Sequence, residues 1–266
     1  MRIPEFTLGS ELTDEQRAFF DAYGFIRFRE FASPDEVRRL VWATDELSRR
    51  FVAEDRKTVM GIPLRYGTDA DGQRYVNRFA FTSHYSSEIR AFVDDPRFEP
   101  IRKLCGPDAR LAHLEKDGVV INHFMNSPGS KWKRLGWHTD ALRDLFYGML
   151  PKPMLNVGIY LDDCPREKGG VRLIPGTHTQ GLWPMLTRKL YFLDNRPDPE
   201  EVALETRAGD LTIHDGRLWH RTAQATVTGE ASRRRTMYLA FVDGPYHPRT
   251  EETRPPLYHR LNRLVG

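Results

Sequence analysis

The residues of this chain whose types and spacing best suit chemistry are two histidines and a carboxylate. In Trp137-His138-Thr139-Asp140, an extended strand would project residues i and i+2 from one face, so the His138 imidazole and the Asp140 carboxylate would converge on one point. With 9 His and 37 acidic residues, a His-x-acid pair arises about once in a shuffled chain, so the pair alone carries no weight. A third ligand comes from GDLTIHDGRLWHRT, residues 209–222. There Gly209-Asp210 makes a turn and a short strand leads on to His214 and His220. The two histidines are six residues apart, so strand parity lets either face the site. Two imidazoles and one carboxylate on one side of a metal leave positions for substrate and dioxygen, the arrangement of non-haem iron(II) sites. Catalytic zinc, with three protein ligands and a water, is the alternative. The other histidines, His84, His113, His123, His178, His247 and His259, are expected to be structural or surface groups.

The elements that must position these groups follow from local patterning. Thr13 before Asp14, Glu15 and Gln16 is a capping box, which predicts a helix carrying Phe19, Phe20 and Tyr23 inward and ending at Gly24. FIRFREF then alternates as a half-buried strand does, and Ser33-Pro34 opens a second helix running to about Glu54. Residues 55–90 are rich in Arg, Tyr and Gly without clean periodicity and are expected to form loops and short strands, a lid over a site. Beyond Pro107-Asp108 come the short apolar runs GVVINHF, MLNVGIYL, VRLIP, DLTIHD and TMYLAFV, divided by Pro, Gly and Asp, the texture of a barrel or sandwich. The expectation is one domain over 1–266: a helical N-terminal layer (1–54), lid loops (55–90), a β core (107–243) and a C-terminal tail (244–266) lying on the surface.

Composition narrows the partners. Forty basic and 37 acidic residues nearly cancel, and the basic clusters, Lys131-Lys133-Arg134 and Arg233-Arg234-Arg235, are short, so neither nucleic acid nor a membrane is expected as a partner. Cys105 and Cys164 are far apart and outside any CxxC pattern, which argues against a disulfide framework or a zinc knuckle. No run of about 18 apolar residues occurs, and MRIPEFTLGSELTDEQ lacks a basic segment followed by an apolar one, so a cytoplasmic location is expected. Oligomeric state is left open.

Four ordered motifs resemble the phytanoyl-CoA dioxygenase family over nearly the whole chain. LTDEQRAFFDAYGFIRFREFASPDEV is similar to its N-terminal stretch, and WHTD to its metal motif. GGVRLIPGTHTQG resembles its Gly-x-Leu-x-x-x-Pro-Gly-Ser-His segment, with Val171 for Leu and Thr177 for Ser, and GDLTIHDGRLWHRT resembles its last-ligand strand. The resemblance implies a double-stranded β-helix, a cupin-like jelly roll within a mainly β chain, with His138, Asp140 and His220 as iron(II) ligands and catalytic centre. It also implies 2-oxoglutarate as co-substrate, its distal carboxylate on an arginine after the last histidine. Arg233, Arg234 and Arg235 compete for that role; counting back from Phe241 favours Arg234, on the side of Thr236 and Tyr238, while Met237, Leu239 and Phe241 pack on the helices. Thr222 resembles a family serine that contacts the same carboxylate, and Asn122 is a candidate contact at the co-substrate's other end. The chain departs from the family's His-Gly-Ser and following Asn, having His220-Arg221-Thr222 and Ala225.

The activity so implied is hydroxylation of an unactivated C–H bond of a small-molecule metabolite by dioxygen, with release of succinate and carbon dioxide. Desaturation, cyclisation or epimerisation by the same oxidant, a silent 2-oxoglutarate-binding barrel, and a zinc or cupin-type isomerase are the alternatives. Asp140 argues against a halogenase, in which a small residue replaces the carboxylate. Arg65, Tyr66, Arg74, Tyr75, Arg78, Trp132 and Tyr147 are expected near the mouth, where basic and aromatic side chains suit a carboxylated or phosphorylated molecule.

Overall fold

The computed structural model describes residues 1–69 and 71–256. Helix α1 (Asp14–Tyr23) has the Thr13/Gln16 capping box at its start, and at its end Gly24 adopts the left-handed conformation that releases the chain into strand β1 (Phe25–Phe28). Ser33 and Glu36 cap α2 (Pro34–Ala53) in the same reciprocal way, with Pro34 in the first turn where its missing N–H costs nothing.

The segment expected to form loops and short strands holds short strands and, in addition, two short helices. It holds the two-residue pair β2 (Thr58–Val59) and β3 (Ile62–Pro63), the hairpin β4 (Arg65–Thr68) and β5 (Arg74–Phe79), and helices α3 (Thr82–Tyr85) and α4 (Ser87–Val93). Strand β5 is almost wholly buried, with Val76 and Phe79 in the main core, so this hairpin is a wall of the fold. Its periodicity was hidden because both faces of β5 are covered, and a strand covered on both faces does not alternate.

After α5 (Glu99–Cys105) and β6 (Arg110–Leu111) the chain builds β7 (Val120–Phe124), β8 (Leu135–His138), β9 (Met154–Tyr160) and β10 (Gly170–Leu173). Helix α6 (Leu182–Thr187), β11 (Val202–Ala203), β12 (Leu211–Asp215), β13 (His220–Ala223) and β14 (Arg234–Val242) complete it. These strands form a jelly roll of two sheets. The larger has the order β1-β12-β9-β14-β7-β5-β4, with β6 also on β14; the smaller is β11-β10-β13-β8, and all its pairings are antiparallel. Strand neighbours far apart in sequence, such as β1 beside β12 and β7 beside β14, bring early and late segments into one sheet.

The main core lies where α2 and α4 cover the large sheet: Leu40, Leu47 and Phe51 meet Val76, Ile121, Val157, Ile213 and Met237. Alternation along β14 puts Met237, Leu239 and Phe241 into this core and turns Arg234, Thr236 and Tyr238 to the other face. The tail is tied down by Tyr246, whose hydroxyl donates to Asp144 (2.8 Å), and by Arg249, whose Nε donates to the Met60 carbonyl (3.1 Å). His259 lies outside the described residues. Among those described, no helix is long and apolar enough to cross a membrane.

Candidate metal centre

His138 and His220 face each other across the small sheet, as register partners of β8 and β13. Each follows a tryptophan, Trp137 and Trp219, that points to the opposite face and is fully buried with Ile174. A one-residue slip of either strand would expose a large indole and withdraw the histidine, so burial of the tryptophans fixes the register that presents the imidazoles.

Asp140 does not sit on the strand, as simple alternation would have it. Strand β8 stops at His138, and Asp140 opens a 3-10 turn, Ala141–Tyr147, with helical backbone angles. The turn still delivers the carboxylate: one ligand atom each from His138, Asp140 and His220 lies within 4.8 Å of the others, and all three residues are buried.

Hydrogen bonds select which nitrogen is presented. The Nδ1–H of His138 donates to the Gly136 carbonyl (2.8 Å) and that of His220 to the Leu218 carbonyl (3.0 Å), which leaves both Nε2 lone pairs for a metal. Burial pushes the His138 pKa down to about 4 and that of His220 well below its ordinary value, so both are neutral at pH 7, the form that ligates. Burial alone would raise the Asp140 pKa; Arg143, His220, His214 and His138 overcome it and hold the carboxyl ionised. Its two oxygens are braced from different elements, Oδ2 by Asn156 Nδ2 of β9 (2.6 Å) and Oδ1 by Arg143 (2.8 Å).

His214 is the near rival that the sequence left open. Its ring is 4.4 Å from that of His220, and its Nε2 is 3.6 Å from Asp140 Oδ2. It projects from β12 of the large sheet, outside the converging set. Of the other described histidines, His178 bonds the Asp21 carbonyl, His113 meets Asp94, and His123 lies tilted against the Tyr75 ring.

The ligand set forms one side of an open-mouthed cavity, which Asn122 and Thr222 also line. Arg234 is not among its lining residues, although it is buried on the face of β14 that includes Tyr238, which is. Its guanidinium lies 4.6 Å from the Phe124 ring and donates to the carbonyls of Lys168 and Ala223. No carboxylate pairs with it among the described residues. Its neighbours are committed: Arg233 pairs with Glu230, and Arg235 with Asp162 and Asp45.

Sequence reasoning missed Arg143, Asn156 and Phe192. Arg143 carried a signal, its place three residues after Asp140. Asn156 carried none, because only the pairing of β9 with β12 brings it to the site. Phe192, from the loop after α6, stacks on the His138 ring at 4.7 Å and holds φ at +62°, clamped by its N–H to the Trp137 carbonyl.

The chain is similar to known proteins in sequence and in fold. A family model described as phytanoyl-CoA dioxygenase (PhyH) matches residues 20–235. Phytanoyl-CoA dioxygenase 1 of Oryza sativa subsp. japonica is 27% identical over 242 residues, 79% of this chain and 83% of that protein. The solved structure of the non-haem alpha-ketoglutarate-dependent carbocyclase SnoK from nogalamycin biosynthesis superposes with a TM-score of 0.64 at 20% identity, covering 97% of this chain and 93% of that one. The epimerase SnoN from the same biosynthesis gives a TM-score of 0.62 at 20% identity, over 90% and 84% of the two chains.

Proposed function

The chain belongs to the phytanoyl-CoA dioxygenase family and is a non-haem iron(II)- and 2-oxoglutarate-dependent dioxygenase; from that premise we propose that it hydroxylates an unactivated C–H bond of a small-molecule metabolite. The observation that carries the proposal is the convergence of His138, Asp140 and His220 beside a cavity, with both Nδ1 atoms already engaged. This donor set, two imidazoles and one carboxylate, fits iron(II) and leaves the cavity side open.

In this reading His138, Asp140 and His220 hold the iron, and Arg234 anchors the distal carboxylate of 2-oxoglutarate with help from Thr222. A buried guanidinium without a carboxylate partner is costly, and a planar dicarboxylate end would relieve that cost through a forked pair of hydrogen bonds. Asn122 faces the co-substrate's other end. Iron(II) with 2-oxoglutarate supplies, with dioxygen, the oxidising power for the C–H bond and releases succinate and carbon dioxide.

The chain's own residues do the rest by position. Asn156 and Arg143 fix both carboxylate oxygens of Asp140, so the ligand cannot swing. Phe192 and the 55–90 segment wall the cavity and restrict water. We place the enzyme in the cytoplasm, in keeping with two free, separated cysteines.

A second reading keeps the same centre but ends in ring closure, desaturation or epimerisation. The similarity in fold to a carbocyclase and an epimerase favours carrying it. One experiment tests both: protein reconstituted with iron(II) and 2-oxoglutarate is incubated with a metabolite pool, succinate is quantified, and the pool is compared by mass spectrometry. A product with one added oxygen marks hydroxylation, one lacking two hydrogens marks desaturation or cyclisation, and a retention shift at unchanged mass marks epimerisation. Absence of succinate across the pool, together with no anaerobic charge-transfer band, would refute the proposal.

A further inference from the structure

The cavity's polar lining is asymmetric. Four of its side chains are cationic, Arg65, Arg78, Lys116 and Arg143, against the two carboxylates Asp117 and Asp140. Lys116 is neutralised from behind by Asp144 at 2.8 Å, and Asp140 is committed to the metal centre. A run of ion pairs leads away from that centre: Arg143 reaches Asp140 at 2.8 Å and Asp117 at 3.7 Å, and Arg78 reaches the same Asp117 oxygen at 2.7 Å. Two guanidiniums thus draw on Asp117.

Arg78 carries the argument further. It is 91% buried by its 9% exposure, and while its Nη2 engages Asp117, its Nη1 is buried without any hydrogen-bond partner. Trp132 lines the same cavity and is likewise buried, with its indole N–H unpartnered. Arg65 stacks on the Trp132 ring at 4.3 Å. Buried donors left without acceptors are uncommon in folded proteins and point to something supplied from outside.

These donors do not belong to the site proposed for the co-substrate's distal carboxylate. Arg78 on β5 is the register partner of Asn122 on β7, which pairs with Thr236 on β14. Two strand spacings, about 10 Å, therefore separate the backbone of Arg78 from the β14 strand that carries Arg234.

Resting on the functional reading above, we infer that Arg78, with Trp132 and Arg65, forms a subsite for a carboxylate group of the organic substrate. The free edge of one guanidinium and one indole N–H offer donors to the two oxygens of a planar anion. The link through Asp117 and Arg143 to Asp140 keeps this subsite within the reach of a small molecule that also presents a C–H bond to the metal.

The test uses protein loaded with nickel(II) and 2-oxoglutarate, so that the co-substrate's own site is filled and no turnover occurs. Calorimetry then compares matched probes: benzoate against benzamide, cinnamate against cinnamamide, decanoate against decanamide, with phenyl phosphate as the dianion. At least one acid is expected to bind about 10-fold or more tightly than its amide, the size of a charge-assisted hydrogen bond. Arg78→Gln is expected to abolish that preference while 2-oxoglutarate affinity stays within about 2-fold. The wild-type comparison stands even if the variant fails to fold.

No acid preferred over its amide, a preference for phenyl phosphate, or an Arg78→Gln variant that loses 2-oxoglutarate rather than the acid would overturn the inference. An intact acid preference without any 2-oxoglutarate binding would instead overturn the functional reading on which it rests.

Discussion

Replacing Arg234 by Lys keeps the charge but removes the fork, and the structure says what that should cost. The guanidinium is 3% exposed, braced on the carbonyls of Lys168 and Ala223 and against Phe124, so its remaining N–H groups are aimed rather than free to rotate. An ammonium has no such planar edge and would have to choose between those carbonyls and a ligand carboxylate. A hydrogen bond to a charged group contributes about 1.5–3 kcal/mol. Losing one should raise the half-saturating 2-oxoglutarate concentration by roughly 10- to 150-fold, since about 1.4 kcal/mol is one decade. The assay is anaerobic titration of the iron(II) protein with 2-oxoglutarate, followed by its charge-transfer band, with iron content measured in the same samples. Arg235→Met is the control. That arginine pairs with Asp162 and Asp45, so its loss should lower thermal stability and leave the titration unmoved. An unchanged midpoint in Arg234→Lys, or an equal shift in Arg235→Met, would refute the assignment.

Other consequences can be checked with the same protein. His220→Ala should abolish iron binding, whereas His214→Ala, which removes a neighbour outside the converging set, should retain iron; metal analysis of anaerobically purified protein decides between them, and the reverse pattern would exchange the two roles. Asn156→Ala removes the 2.6 Å brace on Asp140 and should weaken iron affinity by about 10- to 100-fold, the usual effect of losing a group behind a metal ligand, with a melting temperature close to wild type. Glu36→Gln weakens both the α2 cap and the contact with Arg97, and should lower the melting temperature at pH 7 by about 2–4 °C for about 1 kcal/mol. The Arg97 contact holds the Glu36 pKa down to about 2 against an unfolded value of about 4.3, so its stabilisation is complete above the unfolded value and is lost as pH falls toward 2. The gap between wild type and variant should therefore narrow on acidification below about 4.5, and a gap that widens would contradict the sign.

What was legible in the sequence was legible because it was local. The capping residues Thr13, Gln16, Ser33 and Glu36 satisfy backbone groups within one turn, so four letters specify a helix start whatever packs against it. His138 and Asp140 are two residues apart, and Arg234 was separated from Arg233 and Arg235 by strand parity alone, which β14 obeys. The bounds of the β4–β5 hairpin, within a segment expected to hold short strands, could not be read because strand β5 is buried on both faces and its polar residues, Asn77 and Arg78, find partners far along the chain, at His123 and Asp117.

The site's second layer shows why locality also limits such reading. Asp140 leaves the strand at the residue where alternation would have kept it in line, yet its carboxylate arrives where a metal needs it. The reason is that Asn156, which donates to it, and Arg143, which pairs with it, hold it there, one from the next strand of the large sheet and one from the same 3-10 turn. A buried carboxylate with both oxygens engaged is held at a geometry that the backbone alone does not dictate. The same holds for Arg78: its residue type was visible, but the unpartnered Nη1 that gives it meaning exists only because β5, β7 and the Asp117 turn enclose it. Ligand identity is therefore written in short motifs, and substrate preference in contacts that form only when distant strands meet. That division explains why the three converging ligand candidates could be named from short motifs while the inferred carboxylate subsite required the fold.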